Sequence, residues 1–122
     1  MEFRHLVNTR DLNTRGSLHG GSLMRWIVES VAMHAKLVTG MECVSRHIGR
    51  IDFVDAALLG EVIRIETIAD DCGKTSFEFR AYVKDERTGR RIANIDKIVF
   101  VTIEQDGAPS SHGMKISDLY GM

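Results

Sequence analysis

Residues 11–38 read Asp11-Leu-Asn-Thr-Arg-Gly-Ser-Leu-His-Gly-Gly-Ser-Leu-Met-Arg-Trp-Ile-Val-Glu-Ser-Val-Ala-Met-His-Ala-Lys-Leu-Val38: an irregular polar loop that passes through Gly20 and Gly21 into an unbroken helical pattern. A helix start leaves backbone N–H groups without intrahelical partners, and the helix dipole favours negative charge beside them. Gly20 and Gly21 lack a Cβ, so a carbonyl or a developing oxyanion can come close to those amides. The plainer reading is that the glycines only let the chain turn tightly. Ser17 caps a helix beginning near Leu18, or the glycines delay its start to Ser22.

On a helical wheel from Ser22 to Val38, Ser22, Arg25, Glu29 and Lys36 share one narrow wedge. Leu23, Trp26, Ile27, Val28, Val31, Ala32, Ala35 and Val38 fill most of the remainder, which predicts a helix buried on nearly all sides. Gly40 stands just beyond its end, where a left-handed cap places glycine.

Working outward, Phe3 to Thr9 predicts a first strand ahead of the loop, and after Gly40 the period becomes strand-like and stays so. Glu42 to Val54 reads as one long strand with Gly49 as a bulge or close-approach point, and Gly60 precedes a strand through Ile68. Phe77, Phe79, Ala81 and Val83 alternate with polar residues, so that strand has one wet face. Turns at Asp70 to Gly73 and Asp85 to Gly89 make these strands antiparallel neighbours, with Arg91 to Glu104 last. One apolar helix among about five strands defines an α+β fold. The helix must be wrapped by a curved antiparallel sheet, shared with a second subunit, or both.

The expected organisation is a single domain over residues 1–109 and a tail over 110–122, either loose or docked as a helical turn. At 43% hydrophobic and 27% charged residues, the 122-residue chain has ordinary globular composition. A net charge of -1 gives no electrostatic case for nucleic acid or an anionic membrane as partner. The charged start Met-Glu-Phe-Arg-His and the lack of a long apolar run predict a cytoplasmic protein without membrane association. Cys43 and Cys72 read as buried thiols, and neither they nor the five scattered histidines have metal-ligand spacing.

Taken together, Asp11-Leu12-Asn13, Gly16-x-x-His19-Gly20-Gly21, Ile51-Asp52-Phe53, Gly60-Glu61-Val62, Thr88-Gly89 and Asp106-Gly107-x-Pro109 carry a resemblance. Over residues 5–109 the chain resembles the hotdog-fold acyl-CoA thioesterases, most nearly the bacterial broad-specificity and brain-type cytosolic acyl-CoA hydrolase group. The resemblance implies a sheet wrapped around the helix and protomers joined edge to edge in a homodimer, with further assembly to a tetramer or hexamer. It also implies an acyl-CoA at the dimer interface, with no cofactor beyond the coenzyme A of the substrate. In that family the thioester carbonyl lies near the helix start, while a loop Asn and a helix acid handle the water. Asn13 resembles that Asn. The acid position, seven residues beyond Gly21, holds Val28, and Glu29 is next to it. One residue turns a helix by about 100°, which puts Glu29 in the wedge with Arg25, four residues earlier.

Thioester hydrolysis needs a polarised carbonyl and an activated water. A helix-start amide at Gly21 or Ser22 supplies the first, worth about 3 kcal/mol per donor. A carboxylate general base supplies the second, worth ~100- to 10,000-fold. Asn13, Gly21 and Glu29 are therefore the catalytic candidates, with Glu29 alternatively a surface partner of Arg25. Asn13 orients the substrate or water, or closes a local Asx turn. Gly20, Ser22 and His19 are substrate-binding candidates, His19 either bonding the carbonyl or packing at the turn. Arg87, Arg90 and Arg91 flank the Thr88-Gly89 turn and offer forked donors to CoA phosphates, or are simply solvated. His34 reads as a core histidine. His47 sits on the first long strand; a strand His opposite a helical Glu resembles the hotdog dehydratases, but the sequence context of those enzymes is absent. A second class of function is a non-catalytic module that binds acyl-CoA as a sensor or subunit. Glu29 in the cleft favours the enzyme; Glu29 paired with Arg25 in solvent favours the module.

Overall fold

A computed structural model describes residues 1–120. The one long helix, α1, spans Gly20–Thr39 and is surrounded by β1 (Glu2–Leu6), β2 (Cys43–Ile48), β3 (Ile51–Phe53), β4 (Val62–Cys72), β5 (Ser76–Asp85) and β6 (Arg91–Thr102). The strands form one antiparallel sheet in the order β1-β4-β5-β6-β2, with β3 also paired to β6. The curved sheet around a single helix is the arrangement expected.

The alternation in β5 makes that arrangement stable. Phe77, Phe79, Ala81 and Val83 all face inward and are buried, against Ile27, Val31 and Ala35 of α1 in one core cluster. Each large side chain removed from water contributes on the order of 2 kcal/mol, so this face fixes which side of the sheet meets the helix. α1 ends at Gly40, whose φ of 67° is left-handed and whose N–H donates to Lys36 O at 2.8 Å.

Two boundaries and one burial pattern differ from the sequence reading. First, β1 stops at Leu6, and a 3-10 turn at Thr9–Asp11 carries the chain toward the loop. Second, the strand expected from Glu42 to Val54 is two strands. Gly49 is the close-approach point: a Cβ there would lie 2.9 Å from Asp96 Oδ1 and 3.2 Å from Lys97 Cβ, and its N–H donates to Lys97 O at 2.8 Å. Third, α1 is not buried on nearly all sides of the single chain, because Met33 and Leu37 remain exposed. β2 is exposed on both faces along nearly its whole length, and it lies at the sheet edge with its outer side unpaired among the described residues.

Of the two alternatives for the tail, the described part is a docked turn. Ile116–Tyr120 forms a 3-10 helix, Leu119 joins the core cluster and the Tyr120 hydroxyl donates to Ala69 O. The last two residues, 121 and 122, lie outside the described residues. No helix among the described residues is long and apolar enough to cross a membrane.

Candidate active site

Two interactions hold the approach to α1. Leu18 N donates to Ala57 O and His19 N to Asp11 O, both at 2.8 Å. His19 is the N-cap, with extended φ/ψ of -64° and 131°; its Nδ1 accepts from Ser22 N at 3.3 Å and its carbonyl from Leu23 N at 3.1 Å. Neither Ser17 nor a delayed start at Ser22 fits this geometry. The N–H groups of Gly20 and Gly21 have no acceptor among the described residues. Of the two amides expected to receive an oxyanion, Ser22 is already engaged by His19, and Gly21 is open together with Gly20.

Two cavities flank these amides. One, of about 370 Å³, is lined by Leu18, Gly20, Leu23, Phe53, Asp55, Ala56, Ala57 and Ile92. The other is a polar groove of about 360 Å³ lined by Arg10, Asp11, His19, Gly21, Ser22 and Arg25. Asp11 is buried there and accepts from Asn8 N at 2.9 Å, so it braces the loop. The first turn of α1 carries no acidic side chain, which leaves the positive end of the helix dipole uncompensated by its own residues. The helix start therefore has an apolar space on one side and a cationic groove on the other.

The other expected residues are less closely gathered. Asn13 closes its own loop: Oδ1 accepts from Arg15 N at 2.9 Å and Ser17 N at 3.2 Å, while Nδ2 donates to Ser17 Oγ at 3.1 Å. Val28 is half-buried against the core cluster. Glu29 is exposed, with Oε1 3.9 Å from Arg25 Nε. On the same side, His5 of β1 stacks on Trp26 with ring centroids 4.6 Å apart and an interplanar angle of 3°. Burial lowers the His5 pKa below the ordinary histidine value, opposed by the negative charges of Glu29 and Asp11. His34 is buried and its Nδ1 lies 2.8 Å from Thr67 Oγ1, a satisfied core histidine. His47 is exposed on β2.

The three arginines divide into two kinds. Arg90 grips the loop after β3: NH1 and NH2 donate to the Glu61 carboxylate at 3.0 and 2.8 Å, and NH2 also donates to Ala56 O at 2.9 Å. Its Nε lies 3.1 Å from Asp55 Oδ2, within ion-pairing range but out of line for a hydrogen bond. The Glu61 bond raises the pKa of this guanidinium further. Arg87 and Arg91 are exposed and form no ion pair within the described residues. Sequence reasoning missed Asp55 and Glu61 as partners of Arg90. One signal was available: Asp55 is the only charged residue in the otherwise apolar run Phe53 to Leu59. No three His, Cys, Asp or Glu side chains converge on a metal-sized site among the described residues.

The profile of the thioesterase superfamily matches residues 15–92. An acetyl-coenzyme A thioesterase of Mus musculus is 30% identical over 79 residues, covering 63% of this chain and 14% of that protein. The chain thus spans about one seventh of the length of the curated relatives it matches. A hexameric hotdog-fold thioesterase of Campylobacter jejuni superposes with a TM-score of 0.85 at 16% identity, covering 98% of this chain and 95% of the other. The acyl-CoA hydrolase of Staphylococcus aureus, solved with butyryl coenzyme A, coenzyme A and coenzyme A disulfide, gives 0.80 at 22% identity over 91% of this chain and 67% of that one. The fold is the hotdog fold.

Proposed function

The chain belongs to the thioesterase superfamily, and from that premise we propose that it is an acyl-CoA thioesterase, hydrolysing the thioester to free acid and coenzyme A. The observation that carries this reading is the pair of open amides at Gly20 and Gly21, set between an apolar cavity and a cationic groove. The apolar side suits the acyl group. The open amides receive the oxyanion that forms when water adds to the carbonyl carbon, and a dry setting strengthens that contact. Asn13, once its loop contacts yield to substrate, positions the thioester and water. His19 and Ser22 fix the helix start at which the carbonyl arrives. Arg87 and Arg91 have free guanidinium groups for CoA phosphates, whereas Arg90 is engaged by Glu61, Asp55 and Ala56 O.

The active assembly in this reading is a homodimer joined through β2, with association to a tetramer or hexamer as in the hexameric relatives. An edge strand exposed on both faces, with Met33 and Leu37 of α1 also open, supports a second copy at this edge. The reaction uses no cofactor apart from the coenzyme A of the substrate. Cys43 and Cys72 are free thiols, in keeping with a reducing compartment such as the cytoplasm.

One observation supports the non-catalytic acyl-CoA-binding module instead. The carboxylate next to the Val28 position, Glu29, is paired with Arg25 and exposed in the single chain. Free-CoA release from short, medium, long-chain and aromatic acyl-CoAs separates the two readings. Turnover that Asn13→Ala reduces at least tenfold establishes the hydrolase. Binding of acyl-CoA without turnover on any member of the panel replaces it with the module.

A further inference from the structure

We infer that Asp55, on the loop after β3, is the carboxylate that activates water in the hydrolysis proposed above. The inference rests on that hydrolase reading and addresses its missing part, since Val28 supplies no acid.

Asp55 shares the 370 Å³ cavity with Gly20, and it is the only titratable side chain among the residues that line it. Glu29 is not among those residues, and Asp11 lies in the opposite groove, already bonded to Asn8 N. The Asp55 carboxylate is held from two sides. Oδ1 accepts from Ala56 N at 2.8 Å, and Oδ2 stands 3.1 Å from Arg90 Nε. Arg90 cannot swing away freely, because Glu61 grips it with two hydrogen bonds and Ala56 O with a third. A positioned general base needs this kind of support.

The Asp55 side chain is 54% exposed, so water reaches its carboxylate at the cavity wall that also carries Gly20.

In the reaction, Asp55 takes one proton from water as the water oxygen bonds to the thioester carbonyl carbon. The carbonyl π electrons move to oxygen, beside the open amide of Gly20, which lines the same cavity. Collapse re-forms the C=O bond and breaks C–S, with the bonding pair leaving on sulfur. The proton held by Asp55 then passes to the thiolate, so water and thioester yield carboxylic acid and thiol.

The test uses the full chain and whichever panel substrate turns over fastest, with Asp55→Asn, Asp55→Glu and Glu29→Gln followed by CoA-thiol release and thermal unfolding. Asp55→Asn is expected to lower kcat about 100-fold or more and to leave KM within about threefold. Arg90 and Glu61, the charged groups beside Asp55, remain in this variant. Asp55→Glu should recover part of the rate. The inference is overturned if Asp55→Asn keeps kcat within about tenfold of wild type. A rate loss that tracks a fall in unfolding temperature and that Asp55→Glu does not recover also overturns it, since that marks a purely structural ion pair. Turnover abolished in Glu29→Gln and retained in Asp55→Asn overturns it in favour of Glu29. A wild type that releases no CoA from any substrate defeats the hydrolase reading itself, a result distinct from all of these.

Discussion

The imidazole of His19 lies over Gly21 so closely that a Cβ on Gly21 would stand 2.7 Å from His19 Cε1 and 3.1 Å from its Nδ1. The same Nδ1 is the cap acceptor for Ser22 N. Gly21 therefore leaves room for its neighbour's ring as well as for a ligand carbonyl. Gly21→Ala gains about 1 kcal/mol of helix propensity and loses about 1 kcal/mol of cap as the ring is pushed aside. The two nearly cancel in stability. The added methyl also crowds the open amides, so kcat should fall by about 100-fold, on the scale of one lost oxyanion donor. Unfolding temperature and CoA release measured side by side check this: an inactive variant with near-wild-type unfolding is expected.

Arg87, Arg90 and Arg91 flank one turn but should behave differently. Arg87→Ala and Arg91→Ala each remove an exposed guanidinium and should raise KM for acyl-CoA by about two- to fivefold, with the increase shrinking at high salt. Arg90→Lys should instead lower the unfolding temperature, because an ammonium cannot reproduce the paired bonds to Glu61. KM titrations at two ionic strengths, with melting curves of the same three proteins, distinguish the roles.

Much of the fold was legible because it depends on periodicity. The inward residues of β5 and the left-handed cap at Gly40 follow from local pattern alone. The break at Gly49 was not legible as a break, since it arises where the backbone passes Asp96 and Lys97, nearly fifty residues later in the chain. The site divides in the same way. Gly20, Gly21 and His19 are neighbours in sequence, and the helix start could be located from them. Asp55 meets Arg90 only through the β3–β6 pairing, and no spacing rule joins residues 55 and 90. Asn13 shows a further limit: its residue type suits water positioning, while its observed partners are Arg15 and Ser17 of the same loop.

His34 should make the fold acid-sensitive. Burial pushes its pKa down to about 4 from the ordinary 6.5. The unfolded chain takes up a proton near the higher value, the folded chain only near the lower one. Between them the unfolded state binds more protons, so stability is full above 6.5 and falls as pH drops toward 4. The loss is at most roughly 3 kcal/mol. His34→Gln, which retains a hydrogen-bonding partner for Thr67, should flatten this part of the stability profile. Denaturant unfolding at several pH values between 4 and 7 would show it.

The outer edge of β2 provides the last prediction. Val44 is 45% exposed and Ile48 39% exposed, on a strand whose inner edge pairs with β6 through Val101 and Ile98. Apolar side chains along an unpaired strand edge invite pairing with another chain, and proteins that stay single blunt such edges with charge or proline. Here the strand offers Arg46 and His47 between the apolar residues, with no proline in it, and Met33 and Leu37 extend the apolar surface onto α1. Ile48→Lys should separate the protomers by placing a charge at the join. In the proposed assembly acyl-CoA lies at the dimer interface, and on that reading activity should fall with dissociation and recover with protein concentration. Light scattering and CoA release measured across a dilution series test both parts: a monomeric Ile48→Lys with undiminished activity would place the whole site within one chain.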